Sequence, residues 1–240
     1  MALTLIKTAL EKVLKSTESG CQRPSDYRCA ECRDIGWIRT DRGSKKCDCL
    51  QRQIQARMLA QIPPEYRGMT LATVSPDPAR HAKQSSTIQS VKANPGGSFL
   101  FCGRAGSGKS LMAWMLYREA IDADRSAVAL PLSELLTQFR RYETGGDQIP
   151  AVTSEILRDD KRRYFVFLDE FDKARPSEFA SEQLFLIADA IYSFRHQFVI
   201  TSNYGVNQLR EHWSRASEQY GVSIMRRLLE LDGMICVEMF

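Results

Sequence analysis

The segment Gly103–Ser110 constrains the fold of this chain more than any other feature. It reads Gly-Arg-Ala-Gly-Ser-Gly-Lys-Ser, which fits the pattern G-x-x-x-x-G-K-[ST]. The apolar residues Phe99–Cys102 precede it, and a helical pattern begins at Leu111. Glycines between a strand and a helix let backbone N–H groups point inward, where they and the helix N-terminus attract phosphate oxygens. The segment therefore predicts a strand–loop–helix unit that binds the phosphates of a nucleotide.

Strand and helix patterns alternate around this loop. Five short runs of apolar or β-branched residues are typical of strands covered on both faces: Ser98–Phe101, Ala127–Leu130, Tyr164–Leu168, Phe198–Thr201 and Met234–Val237. Helical patterns are found at residues 3–14, Cys49–Gln61, Pro78–Ala93, Leu111–Ala120, Ser133–Tyr142 and Glu182–Phe194. The alternation predicts an α/β fold, with a P-loop core whose mostly parallel five-stranded sheet is flanked by helices.

Each residue of the loop has an expected role at bound ATP. Lys109 would place a positive charge at the β- and γ-phosphates, and the Ser110 hydroxyl would ligate Mg²⁺. The residues whose backbone would cradle the phosphates are Gly103, Arg104, Ala105, Gly106, Ser107 and Gly108. The alternative is a glycine turn without a ligand, and the predicted strand before the loop and helix after it disfavour that alternative.

A pair of carboxylates follows the third predicted strand. In Asp169–Glu170, the first residue would hold Mg²⁺ at the strand tip, and the second would orient and polarise the attacking water. Two solvated acids at a strand end are the alternative, and the phosphate loop upstream favours the catalytic role. Asp172 is a weaker candidate.

Polar residues near the end of the chain complete the expected site. Asn203 follows the strand Phe198–Thr201 and could contact the γ-phosphate or the attacking water; otherwise it only caps a turn. Arg227, with Arg226 as second choice, could reach the γ-phosphate of a neighbouring subunit as an arginine finger. Two surface arginines on a helix are the alternative for that pair.

Four of the seven cysteines lie close together near the N-terminus. Cys29-x-x-Cys32 and Cys47-x-Cys49 supply four thiolates, which suits tetrahedral Zn²⁺ in a structural site. The intervening Arg33–Lys46 contains glycines typical of a hairpin. A redox pair or unligated thiols are the alternatives.

Helix-ending prolines suggest the domain organisation, and composition suggests the partners and the cellular compartment. Pro63–Pro64 ends the helix after the cysteines, so we expect residues 1–62 to form an N-terminal helix and zinc-binding domain, and residues 63–240 to form the ATPase domain. The formal net charge of +4 permits a nucleic-acid partner without arguing for one. No apolar run is long enough to span a membrane, and nothing resembles a signal peptide, so we expect a cytoplasmic protein.

Together these motifs resemble the DnaC/DnaI-type replicative helicase loaders, which belong to the AAA+ ATPases and the IstB-like ATP-binding superfamily. The resemblance covers roughly residues 27–240. It depends on the ordered set Tyr27-Arg-Cys-Ala-Glu-Cys-Arg-Asp-Ile-Gly-Trp, Cys47-Asp-Cys-Leu-Gln, Gly103–Ser110, Leu168-Asp-Glu, Thr201-Ser-Asn and Met225-Arg-Arg-Leu. One departure is Asp172, where the family often has glycine.

The resemblance implies an ATPase that binds a hexameric replicative DNA helicase and delivers it onto single-stranded DNA. It also implies self-association through AAA+ interfaces, an N-terminal region that grips the helicase, and no C-terminal helical lid. Basic and aromatic groups of the kind found in single-strand grooves occur at Phe139, Arg140, Arg141 and Tyr142. The resemblance would place Ser177 and Phe179 at a DNA-facing pore.

The sequence leaves two other functions open. One is an IstB-type transposition helper ATPase that binds duplex DNA, although the zinc segment disfavours it. The other is a DNA-binding regulator in which ATP acts only as an assembly switch, although Glu170 as a general base argues against it.

Overall fold

The structure, a computed structural model, describes residues 27–75, 82–143, 163–229 and 234–239. The chain divides into two compact units, residues 1–56 and 57–240. The helix predicted over residues 3–14 lies outside the described residues. No described helix is long and apolar enough to cross a lipid bilayer.

The first unit contains a small antiparallel hairpin. Strand β1 (Trp37–Thr40) pairs with β2 (Gly43–Lys46), and Thr40 lies opposite Gly43 at the turn. Gly43 has φ +128°, a conformation that residues with a Cβ atom rarely adopt. The hairpin predicted between the two cysteine pairs is therefore confirmed. Helix α1 (Asp48–Ala60) follows at once, and the division between the units falls within it.

The second unit is built on a five-stranded sheet in the order β4-β5-β6-β3-β7. All of its neighbouring strands are parallel. The strands are β3 (Ser98–Gly103), β4 (Ala127–Pro131), β5 (Phe165–Asp169), β6 (Gln197–Ser202) and β7 (Met234–Met239). The predicted α/β core with its parallel five-stranded sheet is confirmed.

Helices cover the sheet and explain why its central strands are uniformly apolar. They are α2 (Ala82–Ala93), α3 (Lys109–Asp122), α4 (Leu132–Glu143), α5 (Glu178–Ser193), α6 (Val206–Ser214) and α7 (Glu218–Leu229), and a short 3-10 turn lies at Pro64–Tyr66. Phe99, Phe101, Phe165 and Phe167 are fully buried. A strand with no exposed face has no position for polar alternation, so its sequence reads as one apolar run.

The strand order determines where a site can form. Strand β6 lies between β3 and β5, so the segments that follow these three strands meet at one edge of the sheet. Clefts outside the carboxyl ends of parallel strands are the usual binding sites of such sheets. The phosphate loop, the Asp169–Glu170 pair and Asn203 lie at the carboxyl ends of β3, β5 and β6 respectively.

Candidate functional site

The loop after β3 has the backbone that a phosphate cradle requires. Gly103, Gly106 and Gly108 have φ values of +150°, +79° and +98°, which residues with a Cβ rarely adopt. A Cβ on Gly103 would also lie 2.5 Å from the carbonyl oxygen of Met239. Helix α3 begins at Lys109, directly after the loop. The free N–H groups of its first turn and its dipole therefore favour an anion at the loop.

The Lys109 side chain contacts the backbone of this loop and is only 8% exposed. Its Nζ donates to the carbonyl oxygens of Gly103 at 2.7 Å and Arg104 at 2.8 Å, and to Asn203 Oδ1 at 3.2 Å. Burial lowers the pKa of the Lys109 ammonium, and the nearby Asp172 opposes that shift. The acceptors of Lys109 in the described part of the chain are all neutral oxygens, which phosphate oxygens can replace.

The carboxylate of Asp169 is held at the tip of β5. The Thr201 hydroxyl on β6 donates to Asp169 Oδ1, and the Glu170 N–H donates to the same oxygen at 3.1 Å and to Thr201 Oγ1 at 3.1 Å. Burial raises the pKa of the Asp169 carboxyl, and the bond from Thr201 opposes this. A partly desolvated carboxylate beside the Ser110 hydroxyl provides the oxygen ligands that suit Mg²⁺.

Glu170 occupies an uncommon backbone conformation, with φ +52°. The two hydrogen bonds of its N–H keep it there, and strained residues of this kind are concentrated at functional sites. Its side chain is 45% exposed and forms an ion pair with Lys173, with Oε1 and Nζ 2.7 Å apart. The carboxylate therefore lines the pocket and stays accessible to water.

Asp172 fixes the position of Asn203. It accepts a hydrogen bond from the Asn203 backbone N–H at 2.8 Å and another from Asn203 Nδ2 at 3.0 Å. The amide oxygen of Asn203 is thereby directed to Lys109. Sequence reasoning gave Asp172 little weight, because nothing in the spacing connects it with a residue 31 positions later.

Seven of the predicted site residues line one pocket of about 190 Å³, namely Ala105, Gly106, Lys109, Ser110, Asp169, Glu170 and Asn203. Its lining consists of Ala105, Gly106, Lys109, Ser110, Asp169, Glu170, Asp172, Lys173, Thr201, Ser202 and Asn203. Within the loop, the Ser107 hydroxyl is buried and has no hydrogen-bond partner among the described residues. An orphaned donor in a glycine-rich loop at a helix N-terminus fits a phosphate ligand, and Ser110 with Asp169 fits Mg²⁺. The lining residues that sequence reasoning missed or gave little weight are Thr201, which links β5 to β6, Asp172, Lys173 and Ser202.

Replacing Asp172 with Ala should lower the rate of ATP hydrolysis about tenfold and leave nucleotide affinity within about threefold, because Asn203 loses two hydrogen bonds and its fixed orientation. Asp172→Asn keeps an acceptor for the Asn203 N–H and should restore part of the rate. Steady-state hydrolysis and equilibrium ATP binding on the same preparations give the comparison. Equal rates in wild type and Asp172→Ala would show that Asn203 needs no such support.

Arg227 lies away from this pocket. Its Nε donates to Asp189 Oδ1 at 2.7 Å, and its guanidinium carbon lies 4.4 Å from the centroid of the Phe185 ring. Both partners belong to α5. Arg227 thus fastens α7 to α5 within the chain, and its role as a finger in a neighbouring subunit stays a prediction, as does that of Arg226.

The residues proposed to contact DNA differ in exposure and in what they contact. Phe139 is only 6% exposed and belongs to the hydrophobic core, so the prediction that it contacts DNA is wrong. The Ser177 hydroxyl is used to cap α5, where it accepts from the Ala180 N–H. The Arg140 guanidinium lies 5.3 Å from the centroid of the Phe179 ring, so α4 and α5 do place a cation and an aromatic ring together. Arg141 is exposed, and the Tyr142 side chain lies outside the described part of the structure.

The four cysteines of the first unit converge on one point. The sulfur atoms of Cys29, Cys32, Cys47 and Cys49 all lie within 4.8 Å of one another. The sulfurs of Cys29 and Cys47 are 3.7 Å apart, and those of Cys32 and Cys49 are 3.3 Å apart. A tetrahedron with Zn–S bonds of about 2.3 Å has S···S edges of about 3.8 Å. The cluster is therefore compatible with a four-coordinate zinc ion.

The surroundings of the cluster also suit a cation. The Gly36 N–H donates to Cys32 Sγ at 3.3 Å, as backbone groups do at metal-bound sulfur. A hydrogen bond from the Cys32 backbone lowers the pKa of the Cys29 thiol to about 7. The Cys32 side chain raises the pKa of the Cys49 thiol, because four crowded sulfurs cannot all become anions unaided. A divalent ion at their centre would remove that conflict.

Comparison with solved structures finds the same fold in DnaC, DnaI and DnaA. The crystal structure of the DnaC helicase loader superposes with a TM-score of 0.56 at 18% identity, covering 73% of this chain and 99% of that one. The crystal structure of DnaI gives 0.55 at 16% identity, covering 77% and 97%. The replication initiator DnaA, bound to AMPPCP and single-stranded DNA, gives 0.54 at 15% identity, covering 74% of this chain and half of DnaA.

At these identities the likeness concerns the fold, and at that level the resemblance to DnaC and DnaI is confirmed. No protein-family profile matches the sequence. No curated protein matches it either. The core has a DnaC-like fold, with a phosphate loop, an acidic strand tip and a polar residue on the intervening strand at one edge.

Proposed function

We propose that this protein is an ATP-dependent loader, which binds a hexameric replicative DNA helicase and delivers it onto single-stranded DNA at replication initiation. The convergence of Lys109, Ser110, Asp169, Glu170 and Asn203 on one pocket, within a DnaC-like fold, is the observation that carries this proposal. The DNA-bound DnaA structure of similar fold supports a role for single-stranded DNA.

The ATPase chemistry follows from the positions of these side chains. Bound Mg²⁺ would neutralise charge that develops on the phosphates. Lys109 exchanges its carbonyl partners for phosphate oxygens, while Ser110 and Asp169 provide the metal ligands. Glu170 accepts a proton from the attacking water, and Asn203 contacts the water or the γ-phosphate from the strand between them.

Glu170→Gln should bind ATP normally and hydrolyse it at least about 100-fold more slowly, because the amide cannot accept the proton of the attacking water. Glu178→Gln is the matched control, since Glu178 is an exposed glutamate on α5, outside the pocket. Single-turnover hydrolysis and equilibrium binding separate the two effects. A normal hydrolysis rate in Glu170→Gln would remove the general base and favour a regulator that uses ATP as an assembly switch.

The four-cysteine unit is proposed to hold structural zinc through Cys29, Cys32, Cys47 and Cys49. All four positions of a tetrahedral ion are then filled by thiolates, which leaves none for a substrate. Residues 1–62 are the proposed helicase-binding region, and residues 63–240 the proposed ATPase domain. Self-association of the ATPase domain, with Arg227 or Arg226 acting in trans, is part of the same proposal.

The test is a pull-down of the full chain with the replicative helicase of its own host, with and without ATP, followed by native mass spectrometry. We expect a stoichiometric complex with the helicase hexamer and binding of single-stranded rather than duplex DNA. Lys109→Ala serves as the nucleotide-binding control. A folded protein that binds duplex DNA and ignores the helicase would instead indicate a transposition helper of the IstB type.

A further inference from the structure

A second cavity, of about 500 Å³, opens at the opposite edge of the sheet from the phosphate loop. It lies where β3, β6 and β7 begin, and its lining includes Ser98, Gln197 and Met234 from these strands. Three arginines also line it, Arg125, Arg163 and Arg195. None of the described residues that line the cavity is acidic. A cavity of this size matches small-molecule sites in other proteins.

Arg125 is the most informative of the three arginines, because it is partly buried and no carboxylate of the described residues pairs with it. Its Nη1 donates to the amide oxygen of Gln197 at 2.5 Å. Burial lowers the pKa of the Arg125 guanidinium, and no acid in the described part of the chain opposes that shift. Buried arginines are ordinarily paired with an anion, since desolvating an unpaired charge is costly. The missing partner is therefore expected to come from a ligand.

The cavity wall is built to hold this arginine in place. Gln197 is 7% exposed, and its Nε2 donates to the carbonyl oxygens of Pro95 at 2.9 Å and Gly97 at 2.7 Å. These bonds use both amide protons, so the amide oxygen is left to face Arg125. The guanidinium is thus positioned before any ligand arrives, which lowers the entropy cost of binding.

The other two arginines are exposed at the rim of the cavity. Arg195 adopts φ +53° at the end of α5, a position where glycine is usual. Helices α3 and α5 both end near this edge, and their carbonyl ends carry about half a negative charge each. Two half charges offset about one of the three positive charges, so the described lining of the cavity keeps a net positive charge.

From this arrangement we propose a second anion site, in which Arg125, Arg163 and Arg195 bind a phosphate group of a ligand of about mononucleotide size. Guanidinium groups match the geometry of phosphate oxygens through paired N–H donors. The phosphate can be that of a free nucleotide or that of a single-stranded DNA end. The site lies at the amino ends of the strands, whereas Lys109 lies at their carboxyl ends. It does not depend on the ATPase proposal.

The test measures binding of AMP, inorganic phosphate and a 5′-phosphorylated oligothymidylate of about 15 nucleotides, a length on the scale of single-strand binding sites. AMP lacks the β- and γ-phosphates that a phosphate loop grips, and a saturating non-hydrolysable MgATP analogue keeps that loop occupied. The variant Arg163→Gln/Arg195→Gln removes two exposed charges, so its fold should be preserved. Arg39→Gln/Arg42→Gln, two exposed arginines of the hairpin, is the matched control with the same change in charge.

We expect the cavity variant to weaken phosphate-probe binding at least about tenfold, while the hairpin control binds like wild type. Binding of AMP identifies a free nucleotide as the source of the phosphate, and binding of the oligonucleotide without AMP identifies DNA. Equal affinities of both double variants for every probe would overturn the site, as would wild-type affinities weaker than about 1 mM. Hydrolysis of ATP should be unchanged in both variants, so a failure here leaves the ATPase proposal intact.

Discussion

Replacing Lys109 with Ala should weaken MgATP binding by at least about 100-fold, or about 2.7 kcal/mol, and abolish detectable hydrolysis. Lys109 is the buried cation of the phosphate loop, and its three acceptors lie at 2.7, 2.8 and 3.2 Å. Charge-assisted hydrogen bonds to phosphate are among the strongest in proteins, so a loss of this size is expected from one side chain. Titration with a fluorescent ATP analogue and a coupled hydrolysis assay provide the two readouts.

The matched control is Lys45→Ala, because Lys45 is exposed on strand β2, outside the phosphate site. It should bind and hydrolyse ATP like wild type. Circular dichroism and a thermal melt are needed for Lys109→Ala, since the lysine also ties the loop to β6 through Asn203. A folded Lys109→Ala protein with normal nucleotide affinity would contradict the assignment of the site.

Replacing Cys29 with Ser should reduce zinc content from about one ion per chain to nearly none, because three thiolates cannot complete a closed tetrahedral site. Binding of a structural zinc ion contributes about 10–16 kcal/mol to the folding of small metal domains. Its loss should therefore unfold residues 29–49 while the five-stranded core retains its fold. Elemental analysis gives the zinc content, and limited proteolysis reports the order of each unit.

Cys236→Ser is the control for this variant, since Cys236 is an exposed cysteine on β7 of the ATPase core. It should retain zinc fully. An unchanged metal content in Cys29→Ser would eliminate the zinc site. Loss of ATP binding together with zinc would show that the two units do not fold independently.

The parallel sheet could be predicted closely because its strands are buried on both faces and are therefore unbroken apolar runs. Strand β6 extends one residue beyond each end of the predicted Phe198–Thr201, to Gln197 and Ser202. Both of these end residues are polar, so the sequence pattern does not predict that they belong to the strand. In the structure Gln197 and Ser202 are buried and hydrogen-bonded. Pattern reading detects apolar burial far better than satisfied polar burial.

The incorrect prediction for Phe139 had a signal in the sequence that could have prevented it. Leu132, Leu135, Leu136 and Phe139 recur at spacings of three and four, which is the buried face of an amphipathic helix, and all four are buried. In contrast, the bond between Arg227 and Asp189 joins residues 38 positions apart on different helices. Long-range pairs of this kind are set by packing and leave no local pattern.

The hydrogen bonds between Lys109 and its own loop affect both the binding of ATP and the release of ADP. The carbonyl oxygens of Gly103 and Arg104 act as an internal competitor, because phosphate can engage the ammonium only after these contacts are given up. The measured affinity is then a difference between two sets of bonds to one cation. The same hydrogen bonds re-form as ADP dissociates and thereby assist its release. The loop itself therefore favours rapid exchange of ADP for ATP.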